Sequence, residues 1–200
     1  MKRLAPGLVR LTNELNGCRR CDLWRAATQA VPGEGAPRAS MMLVGEQPGD
    51  QEDLAGEPFV GPAGRVLDDA LALAGIPRSA VFVTNAVKHF KHEMRGKRRL
   101  HKRPDAGEIE ACRFWLESEI DLVAPKVIVA LGATAAGAVL GRPVPVMASR
   151  GRVLKRGDAK VAVTIHPSYV LRQREPQFRA EWSGRLSEDL RKASRLAEPC

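Results

Sequence analysis

Two hundred residues, 44% of them hydrophobic, suffice for one domain with its own core and exclude a disordered chain. The formal net charge of +9 points to a polyanionic partner, either nucleic acid or an anionic membrane surface. No apolar run approaches the roughly 20 residues of a membrane-spanning helix, and the opening MKRLAPGLVRLTNEL lacks the apolar core of a cleavable signal, so a cytoplasmic protein that does not enter membranes is expected. Four cysteines, Cys18, Cys21, Cys112 and Cys200, are too few and too uneven for a secreted disulfide framework and read better as ligands of a metal or cluster.

Four short, nearly unalternating apolar runs have the character of strands buried on both faces: SMMLVGEQ (40–47), VFVTNAV (81–87), KVIVALG (126–132) and VAVTIHP (161–167). Between them, GRVLDDALALAG (64–75), DAGEIEACRFWLESEIDLV (105–123) and ATAAGAVLG (133–141) carry helical spacing. The second of these helices opens after Pro104 with Asp105 and Glu108 at capping-box spacing, which fixes its start. GRVLKRGDAKVAV reads as a hairpin turned at Gly157-Asp158, the basic run 95–103 as a long loop, and the Arg-rich tail after Pro176 as a final helix. Alternating strands and helices predict a single domain over 1–200, a three-layer α/β/α fold around a mainly parallel four-stranded sheet.

Ligands of such sheets sit beyond the carboxyl ends of the strands. There the sequence places Gly45-Glu46-Gln47-Pro48-Gly49-Asp50, then Asn85, Gly132 and His166-Pro167-Ser168. Any one alone reads as a cap, a turn residue or a core histidine; an acid, an amide and an imidazole on three strand ends describe a site.

The blocks GEQPGDQEDLAGEPFVGPAGRVLDDAL, VFVTNAVKHF, VIVALGATAA and TIHPSYVLR, in this order, resemble the uracil-DNA glycosylase superfamily in its iron–sulfur (family 4-like) branch, from about Cys18 to Arg172. The insertion GKRRLHKRP (96–104) further resembles the UdgX branch, whose members excise uracil and become covalently joined to the DNA they have opened. The resemblance implies that Phe59 stacks on the extruded base. Asn85, carrying both a donor and an acceptor, would select uracil over cytosine, and His166 would support the leaving base at O2. Glu46 is the candidate for stabilising the sugar cation and accepting a proton from His101; Gln47, through its backbone N–H, and Asp50 are further candidates at the base. His101 would attack C1′ after uracil leaves, in a single turnover, with Lys97, Arg98, Arg99, Lys102 and Arg103 disfavouring its protonated form while attracting phosphates. Two alternatives stay open: a multiple-turnover glycosylase in which Glu46 or Asp50 orients water, and a non-catalytic DNA-binding module.

Where four-cysteine relatives carry a third cysteine after the TNAVK strand, this chain has His89, a substitution UdgX-like proteins share. The resemblance therefore implies a [4Fe–4S] cluster on Cys18, Cys21, His89 and Cys112; from spacing alone a Cys₃His zinc site is equally reasonable, and Cys200 is a rival fourth ligand. HPSYVLR resembles the superfamily's minor-groove loop, with Ser168 and Arg172 on phosphates and Tyr169, Val170 or Leu171 as wedges. The implied partner is uracil-containing DNA, preferably single-stranded, bound by a nucleoid-associated monomer.

Overall fold

The computed structural model describes residues 6–198; Cys200 lies outside them. The chain runs α1 (Pro6–Asn16), a 3₁₀ turn (Asp22–Arg25), β1 (Glu34–Gly35), β2 (Met41–Gly45), α2 (Asp50–Ala55), α3 (Pro62–Ala74), a second 3₁₀ turn (Arg78–Ala80), β3 (Phe82–Asn85), β4 (His92–Arg95), β5 (Arg98–His101) and α4 (Ala106–Val123). It continues through β6 (Val127–Leu131), α5 (Ala133–Leu140), α6 (Val146–Ser149), β7 (Val153–Arg156), β8 (Ala159–Thr164), α7 (Pro167–Leu171) and α8 (Pro176–Ala197).

The three-layer α/β/α arrangement is as expected, but the sheet is larger. It has six strands in the order β1-β3-β2-β6-β8-β7, not four. The inner four, β3-β2-β6-β8, are parallel and correspond to the four apolar runs, while β1 and β7 close the two edges antiparallel. The edges escaped the apolar reading for different reasons: β1 is two residues long, and β7 is the outer arm of the expected hairpin, which pairs Arg156 with Ala159 around Gly157-Asp158.

Successive residues of each parallel strand feed opposite cores, as the two-residue period of a strand requires. Met42, Val44, Ile128 and Ala130 pack beneath α4 and α5. Met41, Leu43, Val127, Val129 and Leu131 pack beneath α3 and α8. Both faces are covered, so the strands need no polar alternation. The α4 start is held by the anticipated box: Glu108 N–H donates to Asp105 Oδ1 (3.0 Å) and Asp105 N–H to Glu108 Oε2 (2.8 Å).

The basic run 95–103 is no loop. It spans the end of the first arm, the turn and the second arm of a separate hairpin, β4–β5, in which Arg95 faces Arg98 and His92 faces His101. Gly96 supplies the positive φ (60°) that a two-residue turn demands. Six charged or histidine side chains over the two arms hide the strand character, because neither face of this hairpin joins the sheet's core.

From β2 the chain crosses to β3 on one side, and from β3 through α4 to β6 on the other. That reversal opens a crevice at the carboxyl ends of β2 and β6, where ligand sites of such sheets form.

Candidate active site

A cavity of about 840 Å³ occupies this crevice and brings together Glu46, Phe59, Asn85, His101 and His166 from five different segments. Asn85 ends β3, buried, and its Oδ1 has no hydrogen-bond partner. An orphaned buried acceptor is costly unless a ligand satisfies it, so this atom marks where a donor belongs. Gly45 explains how the amide and the ring come so close to β2: a Cβ there would meet Asn85 Oδ1 at 2.3 Å and Phe59 Cζ at 2.6 Å. Phe59 itself has φ 57°, a conformation that costs a non-glycine residue on the order of 1 kcal/mol, and its ring lies 5.9 Å from that of His166.

Beneath Asn85 lies a buried ion pair that sequence reading missed. Lys88 Nζ donates to Glu119 Oε2 (2.7 Å), to Thr84 Oγ1 (2.6 Å) and to the Asn85 carbonyl (2.8 Å), while Glu119 Oε1 accepts Gly33 N–H (2.8 Å). Lys88 and Glu119 are 31 residues apart and each alone looks like a surface charge. The pair fixes the backbone that carries the amide.

His166 follows β8 and caps α7. Its Nδ1 accepts Ser168 N–H at 3.1 Å, which leaves the ring proton of the neutral imidazole on Nε2. Arg172 donates to Ser168 Oγ (3.0 Å), so the serine hydroxyl can donate in turn to Nδ1 (2.8 Å). Burial, and then the charge of Arg172, lowers the His166 pKa from 6.5 to about 4. A neutral ring therefore presents an N–H donor to the cavity at neutral pH. The unfolded chain takes up a proton near 6.5 that the native ring refuses until about 4, so stability falls as pH drops through this window. Urea midpoints near pH 7 and pH 5 should show His166→Asn losing less stability than the parent, by on the order of 1 kcal/mol; equal losses would refute a neutral His166.

Glu46 stands opposite, half-buried. Its Oε2 accepts the hydroxyl of Thr134, at the start of α5, and lies 3.9 Å from Arg103 Nε; its Oε1 is 3.5 Å from His101 Nε2. Thr134 was not anticipated, since nothing in ATAAGAVLG marks a threonine as catalytic support until β2 and β6 are known to be neighbours.

His101 ends β5 at the cavity rim, 51% exposed in its side chain. The Glu46 carboxylate stands 3.5 Å from it, within reach of the proton transfer expected between them, and Arg103 approaches the same carboxylate. The other charges are largely spoken for. Arg99 points into the protein, with Nε 2.6 Å from Asp50 Oδ1 and Nη1 2.5 Å from Asp53 Oδ2, which is fully buried. Lys102 pairs with Glu93 at 2.8 Å. Arg99 therefore anchors the hairpin instead of gripping phosphate, and Asp50, although it borders the cavity, spends its carboxylate on Arg99. Gln47 borders the cavity as well, and its side-chain amide donates to the carbonyls of Lys91 (3.2 Å) and Lys102 (2.9 Å) and accepts Lys91 N–H (3.1 Å), tying down both hairpin roots. Phe90 lies beneath, its ring 6.2 Å from that of His101. At the hairpin tip Arg95, Lys97 and Arg98 stand exposed.

Cys18, Cys21 and Cys112 share one apolar nest with Leu11, Leu15 and Trp115. Trp115 Nε1–H donates to Cys18 Sγ (3.1 Å) and Lys88 N–H to Cys112 Sγ (3.2 Å). Burial pushes the Cys112 thiol up to about 12, the Lys88 N–H opposing and the neighbouring thiols adding to it. His89 is buried, its Nδ1 without a partner. Among the described residues no three His, Cys, Asp or Glu side chains converge on a single metal ion. N–H donors aimed at sulfur, an orphaned imidazole nitrogen and thiols spread around one nest suit a larger inorganic cluster.

The model of the family described as "Uracil DNA glycosylase superfamily" matches residues 32–191. The chain belongs to the uracil DNA glycosylase superfamily. It is 35% identical over 194 residues to the type-4 uracil-DNA glycosylase of Pyrobaculum aerophilum, covering 90% of this chain and 91% of that one. The type-4 uracil-DNA glycosylase of Archaeoglobus fulgidus is 36% identical over 180 residues, 86% of each chain. That of Sulfurisphaera tokodaii is 43% identical over 126 residues, 62% of this chain and about half, 54%, of its own. Within this superfamily member, the matched segment contains every cavity residue named above, whereas Cys18 and Cys21 precede it. No described helix is long and apolar enough to cross a membrane.

Proposed function

We propose that the protein excises uracil from DNA and captures the resulting sugar covalently on His101. The observation that carries the reading is the meeting, in one cavity, of an orphaned amide acceptor, a neutral imidazole N–H donor and a second imidazole beside a carboxylate. Asn85 Oδ1 would accept uracil N3–H and its Nδ2 would donate to O4, a pattern cytosine cannot match. Phe59 would stack on the extruded ring. As the C1′–N1 bond breaks, its electron pair leaves with uracil, and His166 Nε2–H would stabilise the anion at O2. Glu46 would balance positive charge on the sugar. A neutral His101 nitrogen would then give its lone pair to C1′, the imidazole losing its proton towards Glu46 or solvent, while uracil departs as an anion that water protonates. Ser168, Arg172, Lys97 and Arg98 would meet phosphates, and a single strand, whose bases need no unpairing, would be the easier substrate.

Cys18, Cys21, His89 and Cys112 would hold a [4Fe–4S] cluster in a structural role, tying the N-terminal segment to α4 and to the strand end that leads into the hairpin. Such a cluster supplies no chemistry to the base. Purified protein should be brown, with acid-labile sulfide that disappears in Cys112→Ser; a colourless protein with stoichiometric zinc would overturn the assignment.

The type-4 names of the relatives favour a second reading, an ordinary multiple-turnover glycosylase with water held by Glu46. Incubation with a uracil-containing single strand, followed by a uracil assay, a denaturing gel and mass spectrometry of any linked peptide, tests both. Free uracil with a stoichiometric adduct on His101 supports capture. Uracil in excess of protein with no adduct leaves only the second reading, and no uracil at all refutes both.

A further inference from the structure

Uracil recognition uses only the inner part of the cavity. The outer part is walled by Val146, Met147, Leu171 and Arg172, side chains from the α5–β7 connection and from the end of α7. Two of these are large apolar groups left open to solvent: Met147 is 58% exposed and Leu171 38%. Exposed apolar groups facing a common opening mark a place where something apolar binds.

The neighbouring candidates on α7 are committed elsewhere. Val170 is buried. Tyr169 packs edge-on against Trp182, with ring centroids 5.0 Å apart, and Arg172 lies over its other side at 6.0 Å. Tyr169 borders the cavity but is held by these ring contacts. Leu171 and Met147 remain, approaching from separate helices, α7 and α6.

We infer that Met147 and Leu171 form a two-sided clamp for the nucleobase adjacent to the extruded uracil on the same strand, a second base subsite in which Met147 is the unassigned wall. The inference rests on the proposed uracil reading. Continuity argues for this occupant: the clamp opens into the cavity that would hold uracil, so a strand with one base inside must pass its neighbour between these walls. Charge argues for it as well. A nucleobase offers an uncharged face to each apolar wall, while Arg172 at the same lip meets the phosphate that joins the two nucleotides. The unbranched thioether of methionine adapts to purine or pyrimidine alike, so the clamp would bind without reading sequence closely.

The test uses single-turnover uracil release from short single strands, protein in excess, with the base on either side of uracil removed in turn by a tetrahydrofuran residue. Stacking on an aromatic wall contributes about 1–3 kcal/mol, and for aliphatic walls the lower end applies, so the parent protein should lose roughly five- to tenfold in apparent affinity when the base on one side is absent. Met147→Ala should show a similar loss on the intact strand and less than about twofold further loss on the baseless one, and Met147→Leu should restore the neighbour effect. A parent protein indifferent to both neighbours, or a Met147→Ala defect of equal size on intact and baseless strands, would overturn the clamp while uracil release continued. Absence of release from every strand would instead overturn the uracil reading on which it rests.

Discussion

His101→Ala is expected to abolish the denaturation-resistant complex with uracil-containing DNA, reducing it at least about 100-fold, while uracil release remains measurable and becomes catalytic. The expectation follows from where the side chain stands. It is half-exposed at the end of β5, packs loosely on Phe90 and makes one close polar approach, to Glu46. Its removal leaves the hairpin anchored through Arg99, Gln47 and Phe90, so the fold and the uracil-reading residues should be untouched. The vacated space lies beside a carboxylate already held by Thr134. Water entering there would be oriented by Glu46 to attack C1′ and release a free abasic site. Time courses with substrate in excess, run beside a denaturing gel, check both halves. An adduct that survives in the variant would show that His101 is not the nucleophile.

Much of the fold was legible because the parallel strands and their helices obey simple patterns. Runs such as KVIVALG are buried on both faces, and the Asp105–Glu108 box marks a helix start by local chemistry alone. The strand-end residues Glu46, Asn85 and His166 were legible for a related reason: an otherwise apolar strand that ends in a chemically capable side chain delivers it to the ligand edge. What escaped was set by pairing across distance. The hairpin β4–β5 is stabilised by Arg99 reaching Asp50 and Asp53, 49 and 46 residues away, and by Gln47 bridging to Lys91 and Lys102. No local period encodes such contacts. The charges of GKRRLHKRP accordingly misled in one respect: they concealed a strand pair.

The pairing also explains how a surface hairpin can hold a nucleophile in place. Asp53 is wholly buried and its carboxylate accepts Thr28 N–H as well as Arg99, so Arg99 cannot swing away without stranding a charge in the interior. The hairpin thus inherits rigidity from the core through one guanidinium. The Asp50 and Gln47 side chains, which also border the cavity, brace the element that carries His101.

Asn85→Asp should slow uracil release by roughly 10²–10⁴-fold, because a pocket built to satisfy particular polar groups penalises a mismatch severely when those groups are buried. The amide offers an acceptor and a donor. An ionised carboxylate offers acceptors only, so it would face uracil O4 with a lone pair and oppose the negative charge that develops on the departing base. A protonated carboxyl is different. Its O–H could donate to cytosine N3 while its carbonyl accepts from the cytosine amino group, the reverse of the pattern uracil presents. Burial favours the neutral carboxyl, and that form grows as pH falls. The variant should therefore gain cytosine release on lowering the pH from about 8 to about 6, while the parent shows none at either. Release of both bases measured across that range checks the role of Asn85: a variant that keeps its preference for uracil at every pH would place selection elsewhere in the cavity, and the orphaned Oδ1 would then need another partner.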